Sequence, residues 1–156
     1  MFEDCHGLVF RTAYRITGNA ADAEDVLQAV FLRLLRRDRS AEPLSNPESY
    51  LRRAAVNAAL DVVRVRQEQA GVPLEDSPPG PQPGRDQRDL RDGLRRALAA
   101  LSPRSAEIFA LRFFEGHTNP EIARMLGMSQ VHVAVLLHRT RKQLQKEIRS
   151  YLGVQS

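Results

Sequence analysis

Residues 71–84 read Gly-Val-Pro-Leu-Glu-Asp-Ser-Pro-Pro-Gly-Pro-Gln-Pro-Gly, and neither a helix nor a central strand can run through them. The prolines remove backbone donors and the glycines raise the entropy cost of ordering. The chain must therefore divide here. A proline-rich segment of about 15 residues, extended at roughly 3.1 Å each, reaches about 45 Å, so the two halves can occupy separate sites on one large partner. With 156 residues, each half is long enough for a core of its own. Hydrophobic residues at 42% and charged residues at 27% place the chain among globular proteins and outside the disordered class. Trp is absent, and Ala, Leu and Arg dominate, which favours helices packed through small and straight-chain side chains.

Charge is unevenly shared. Through residue 69, ten basic side chains balance ten acidic ones; from residue 88 onward, twelve basic face only six acidic. An excess of that size on a short half fits a polyanionic partner or a merely soluble basic surface. Cys5 is alone, which excludes an internal disulfide, and Cys5-His6 has no second ligand pair at zinc spacing. No metal or cofactor is expected. His6, His117, His132 and His138 form no nucleophile or metal pattern with carboxylates or cysteine, and there is no Gly-rich phosphate loop. The chain is not expected to be an enzyme or to take a small-molecule substrate. No apolar run approaches the roughly 20 residues of a membrane span. The acidic start Met1-Phe2-Glu3-Asp4 lacks a signal peptide's layout, so a cytoplasmic protein without a membrane partner is expected.

Apolar spacing predicts three helices in the first half. The first covers Cys5 to Thr17, with Leu8, Val9, Ala13 and Ile16 on one face. Gly18 stops it and Asn19 caps a second helix from Ala20 to Arg37, with the stripe Val26, Leu27, Val30, Phe31, Leu34 and Leu35. Asn46 and Pro47 open a third to about Gln69, offering Tyr50, Leu51, Ala54, Ala55 and Ala58 for packing. Four shorter helices follow: about Gln87 to Leu101, Pro103 to Glu115, Asn119 to Leu126 behind a Thr118/Glu121 capping box, and Ser129-capped to about Tyr151. The fold class is all-α, in two small helical domains, residues 1–69 with three helices and 88–152 with four, joined by a Pro/Gly-rich linker over 70–87.

The strongest local pattern is Glu121-Ile-Ala, then Leu126-Gly127, then a Ser129-capped helix, the layout of a helix-turn-helix. Ala123 is small where two helices cross, Gly127 permits the tight turn, and Val133, Leu137, Thr140 and Leu144 make a buried stripe. An ordinary helical hairpin shares part of this pattern.

From Gly93 onward the second half resembles the C-terminal promoter-binding domain of bacterial sigma factors. The resemblance rests on Leu101-Ser-Pro103, Phe114-Glu-Gly116, Glu121-Ile-Ala123, Leu126-Gly127 and the closing His138-Arg-Thr-Arg-Lys-Gln-Leu144. In the first half, residues 18–31 are similar to the segment that docks on the polymerase clamp helices. Residues 50–61 are similar to the helix that reads the −10 element. Two matched domains in order across a linker identify the chain as a member of the extracytoplasmic-function sigma factors. That resemblance implies core RNA polymerase (clamp helices and flap) and promoter DNA as partners. It implies polymerase contacts at Asp25, Leu27, Gln28, Phe31 and Leu32, and −10 contacts at Arg52, Arg53, Asn57, Asp61, Arg64 and Arg66. The loop over residues 40–49 would form part of a pocket for an unstacked base. Contacts to the −35 element are implied at Arg112, Gln130, His132, Ala134, Val135, His138, Arg139 and Lys142.

Bland readings accompany these roles. Asp22, Glu24 and Asp25 at one end of helix two, with Arg33, Arg36 and Arg37 at the other, also complement the helix dipole. Asn57, a poor mid-helix residue, fits either a DNA contact or a hydrogen bond inside the protein. The helix after Ser129 departs from the family, which usually places basic and small polar residues at the positions of Ala134, Val135 and Leu136. Without Arg or Lys there, bidentate guanine contacts are impossible. Either the −35 element is A/T-rich and read through thymine methyls and Gln130, or this face meets a protein such as an activator, an anti-sigma factor or a DNA-targeting partner. A stand-alone helix-turn-helix regulator would explain the second half but leave the first unexplained.

Overall fold

The computed structural model describes residues 2–37, 46–70 and 85–152. Seven helices run through them: α1 (Phe2–Thr17), α2 (Ala20–Arg36), α3 (Pro47–Ala70), α4 (Arg85–Ala100), α5 (Pro103–Phe113), α6 (Asn119–Leu126) and α7 (Gln130–Leu152). No strand occurs among the described residues. The linker over 71–84 and most of the loop expected to hold an unstacked base, 40–45, lie outside them.

The caps explain where the helices begin. The Asn19 side chain accepts from the Asp22 amide at 3.0 Å, Asn46 from the Ser49 amide at 3.1 Å, and Ser102 from the Ser105 amide at 3.3 Å. Each satisfies an amide that the first helical turn leaves without a partner. α1 starts at Phe2, ahead of the expected Cys5, and α5 ends at Phe113, short of the expected Glu115.

In the first half, α1 and α3 pack together with α2 laid against both. Their core is Val9, Ala13 and Ile16 from α1, Ala23, Val26, Leu27 and Val30 from α2, and Leu51, Ala55, Val56, Ala59, Leu60 and Val63 from α3. The alanines let backbones approach closely where larger residues would hold them apart. Leu35 corrects the expected stripe: it is 80% exposed, because it lies about 120° round the helix from the stripe's centre.

In the second half, Leu98, Leu101, Ala106, Ile108, Ala110, Leu111, Ile122, Ala123, Val133, Leu137 and Leu144 are buried. α7 is the long element on which α4, α5 and α6 rest. The halves also meet each other: α3 packs against α4 and α5.

Candidate nucleic-acid interface

The α6–α7 unit is built from its turn outward. Thr118 and Glu121 close a full capping box over the start of α6. Gly127 ends α6 at φ +65°, a left-handed conformation that costs glycine least. The Met128 amide then bonds back to the Ala123 carbonyl at 2.9 Å, and Ser129 caps α7 by accepting from the His132 amide at 3.1 Å. Inward go Ile122, Ala123, Val133, Leu137, Thr140 and Leu144. The expected buried stripe of α7 is present in full, and the turn is that of a helix-turn-helix.

That packing turns the expected reading face outward. Gln130, Val131, His132, Ala134, Val135, His138, Arg139 and Lys142 are all exposed. Val131, 74% exposed, projects a large apolar surface at the N-terminal end of α7. Beside this face, Arg112, Asn119, Ala134, Leu137, His138 and Arg141 line a shallow concavity. The guanidiniums of Arg112 and Arg141 lie 5.5 and 4.8 Å from the Phe113 ring centroid. Stacking on the ring spreads two cations over an apolar plate, which suits a phosphate backbone. Sequence reasoning passed over Phe113, because only Arg112 adjoins it in the chain and Arg141 is brought to its ring by folding.

In α6 the capping box has an electrostatic consequence. The Glu121 carboxyl is lowered to about 2, chiefly because the Thr118 hydroxyl bonds its charged form, with His117 and the Thr118 amide adding to it. His117 Nδ1 lies 3.2 Å from that carboxylate.

α3 presents its polar residues to the protein itself. Arg52 bonds Glu48 at 3.0 Å, Arg64 bonds Asp61 at 2.9 Å, and Arg66 grips Asp22 with two bonds of 2.6 and 3.1 Å. Arg53 and Asn57 reach across to Glu107 of α5, the latter at 2.7 Å. Asn57 is therefore hydrogen-bonded within the protein, but to the other half. Asp22, expected only as a dipole partner, is buried.

On α2, Asp25, Gln28 and Leu32 face solvent together, with Leu35 beside them. Phe31 is half-buried and its ring stacks on His6 with centroids 6.3 Å apart. Leu27 corrects the expectation of a contact residue: at 3% exposure it belongs to the core, since four residues from Ala23 and three from Val30 it shares their side of the helix. It supports the exposed face from beneath.

Sequence reasoning also missed Glu107 and Glu115 as polar centres. Glu107 stands in the run Ala106-Glu-Ile-Phe-Ala-Leu111, five apolar residues and one carboxylate. A carboxylate in a buried run demands a cationic partner, and that signal was legible.

Residues 1–69 match the sigma-70 region 2 family, and residues 91–144 match sigma-70, region 4. The chain is 35% identical to the ECF RNA polymerase sigma factor SigE of Mycolicibacterium smegmatis over 95% of its own length, and spans 58% of that protein. It is 31% identical to the RNA polymerase sigma-E factor of Streptomyces coelicolor, over 90% of this chain and 79% of the relative. Its fold is similar to the sigma factor RpoE of Bartonella quintana, crystallised with the anti-sigma factor NepR. There the TM-score is 0.52 at 22% identity, over 93% of this chain and 92% of the other.

Proposed function

The chain belongs to the extracytoplasmic-function sigma factors, the promoter-specificity subunits of bacterial RNA polymerase, and on that premise we propose a division of labour along it. Residues 1–69 dock on the clamp helices of core polymerase through Asp25, Gln28, Phe31 and Leu32 of α2. They read and open the −10 element through Arg52, Arg53, Asn57, Asp61, Arg64 and Arg66 of α3. Residues 88–152 contact the flap and hold the −35 element against α7, with Arg112, Arg139 and Lys142 on phosphates. The segment 70–87 joins the two. The protein works in the cytoplasm, where polymerase and DNA are, and it binds and positions DNA without catalysing a reaction.

The observation that carries this reading is the pairing of two family matches, in order, with two solvent-facing surfaces. One is the acidic and apolar face of α2; the other is the outward face of a capped helix-turn-helix. Co-purification with core polymerase and run-off transcription from a promoter library test it. A chain that binds duplex DNA alone and ignores core polymerase would be a helix-turn-helix regulator instead.

A second reading is favoured by the apolar stretch Val131, Ala134 and Val135, all exposed. Such a face lacks the donors of direct guanine readout. It suits thymine methyls or a protein, either an anti-sigma factor or a partner that brings the holoenzyme to DNA. Footprinting of reconstituted holoenzyme separates these: sequence-specific −35 protection without an added factor ends the recruitment idea.

A further inference from the structure

Two arginines of the second half are held in a way that the others are not. Arg15, Arg52, Arg53, Arg64 and Arg66 each meet a carboxylate at 2.6 to 3.0 Å. Among the described residues, Arg112 of α5 and Arg141 of α7 meet none, and neither has a hydrogen-bond partner. What holds them is one ring, that of Phe113, with the two guanidinium carbons 5.5 and 4.8 Å from its centroid. The ring is 43% exposed. It is braced from inside the domain by Phe109, whose centroid lies 4.7 Å away and which packs against the core.

The kind of partner decides what each cation can still do. A carboxylate neutralises a guanidinium and occupies its N–H groups. An aromatic face attracts the cation through its quadrupole and leaves both the charge and the donors open. Both guanidiniums line one concavity, together with His138, Asn119, Ala134 and Leu137, and no carboxylate stands among these residues. Asn119 Oδ1 is buried without a hydrogen-bond partner, and a half-turn of that amide puts its NH2 donors in the same place. Two open guanidiniums, a histidine and an amide around an acid-free hollow match a phosphate, whose oxygens accept from such forks.

We propose that Arg112 and Arg141 grip a single phosphate of the −35 duplex, and that Phe113 is the positioning residue that holds the two guanidiniums together without neutralising them. This rests on the reading of α7 as the −35 face, which puts Arg112 on a phosphate; Arg141 and Phe113 complete the site.

The test uses holoenzyme assembled from the full chain and core polymerase, on a duplex promoter selected by run-off transcription. Affinity is measured across a salt series, and ethylation of single phosphates locates each contact. For the wild type, ethylation of one phosphate flanking the −35 element is expected to weaken binding. Arg141→Ala is expected to weaken binding about tenfold, as loss of a hydrogen bond to a charged group does. It should also reduce the slope of log affinity against log salt by about 0.9. Arg141→Ala and Arg112→Ala should each diminish the ethylation effect at that same phosphate. Phe113→Leu keeps both charges and is expected to weaken binding about fivefold, the equivalent of two exposed cation–π contacts; Phe113→Tyr, which keeps the ring, should bind as the wild type does. Arg141 and Phe113 are exposed, so melting temperatures should not move. Arg149→Ala removes the same charge at another exposed position of α7 and is expected to change none of these readouts. If Arg112→Ala lowers the slope and Arg141→Ala does not, the shared phosphate is refuted while the −35 reading stands. Wild-type binding by Phe113→Leu would refute the positioning role, and an equal slope change in Arg149→Ala would reduce the effect to net charge and sink the clamp. If the library yields no promoter, or neither arginine alters slope or ethylation pattern, the reading of α7 as a DNA face is overturned and the clamp falls with it.

Discussion

Thr118 is a single hydroxyl on which the start of α6 depends, and Thr118→Ala should show this in two independent ways. The hydroxyl accepts from the Glu121 amide at 3.3 Å and bonds Glu121 Oε1 at 2.9 Å, while the Thr118 amide donates to Oε1 at 3.3 Å. Removing an N-cap side chain of this kind costs about 1 kcal/mol, which for a chain of this size lowers the melting temperature by about 2–4 °C. The second signature is in pH. Folding lowers the Glu121 carboxyl from 4.5 to about 2, so its contribution to stability is complete above the unfolded value. It is lost as pH falls through the folded one. The variant loses the largest cause of that depression but keeps His117 and the backbone amide, so its carboxyl should titrate higher and its stability should depend less on acid. The gap between wild type and variant is therefore widest near neutral pH and narrows toward pH of about 2, where only the hydroxyl-to-amide cap still distinguishes them. Thermal melts across this range, with an NMR titration of the Glu121 side chain, measure both. Melts that coincide at neutral pH, or a Glu121 that titrates unchanged in the variant, would refute the reasoning.

Other outcomes follow from the same geometry. Ile122→Ala empties a fully buried site on α6 and should cost about 2–5 kcal/mol in urea unfolding, weakening promoter protection in step with the lost stability. Lys142→Ala, on the exposed face of α7, should leave stability unchanged and reduce the slope of log affinity against log salt by about 0.9 if it meets a phosphate. A slope identical to wild type would place Lys142 in solvent. Leu32→Glu on the open face of α2 should weaken pull-down of core polymerase at least about tenfold, the equivalent of about 1.4 kcal/mol, with an unchanged melting temperature. Full core binding by this variant would move the docking surface elsewhere.

Much of the scaffold was legible without coordinates, because its signals are local. The stripe Val133, Leu137, Thr140 and Leu144 follows from helical period alone, and the caps at Asn19, Asn46, Ser102, Thr118 and Ser129 from side chains that bond amides three residues away. Leu27 and Leu35 were harder. Both are apolar on the same helix, and only their angle to α1 and α3 sends one into the core and the other to solvent.

Sequence by itself determined the helical class, the helix-turn-helix and its apolar outward face, since each depends on residue type at short range. Tertiary structure alone decided which partners the charged groups take. Arg53 and Asn57 meet Glu107 across 54 and 50 residues of chain, and Thr12 meets Glu115 across 103. No periodicity or cap encodes pairings at such separation. They exist because packing the two halves together leaves buried carboxylates that must find donors, and Glu107 finds them in Arg53 and Asn57 while Glu115 finds them in Thr12 and Arg15.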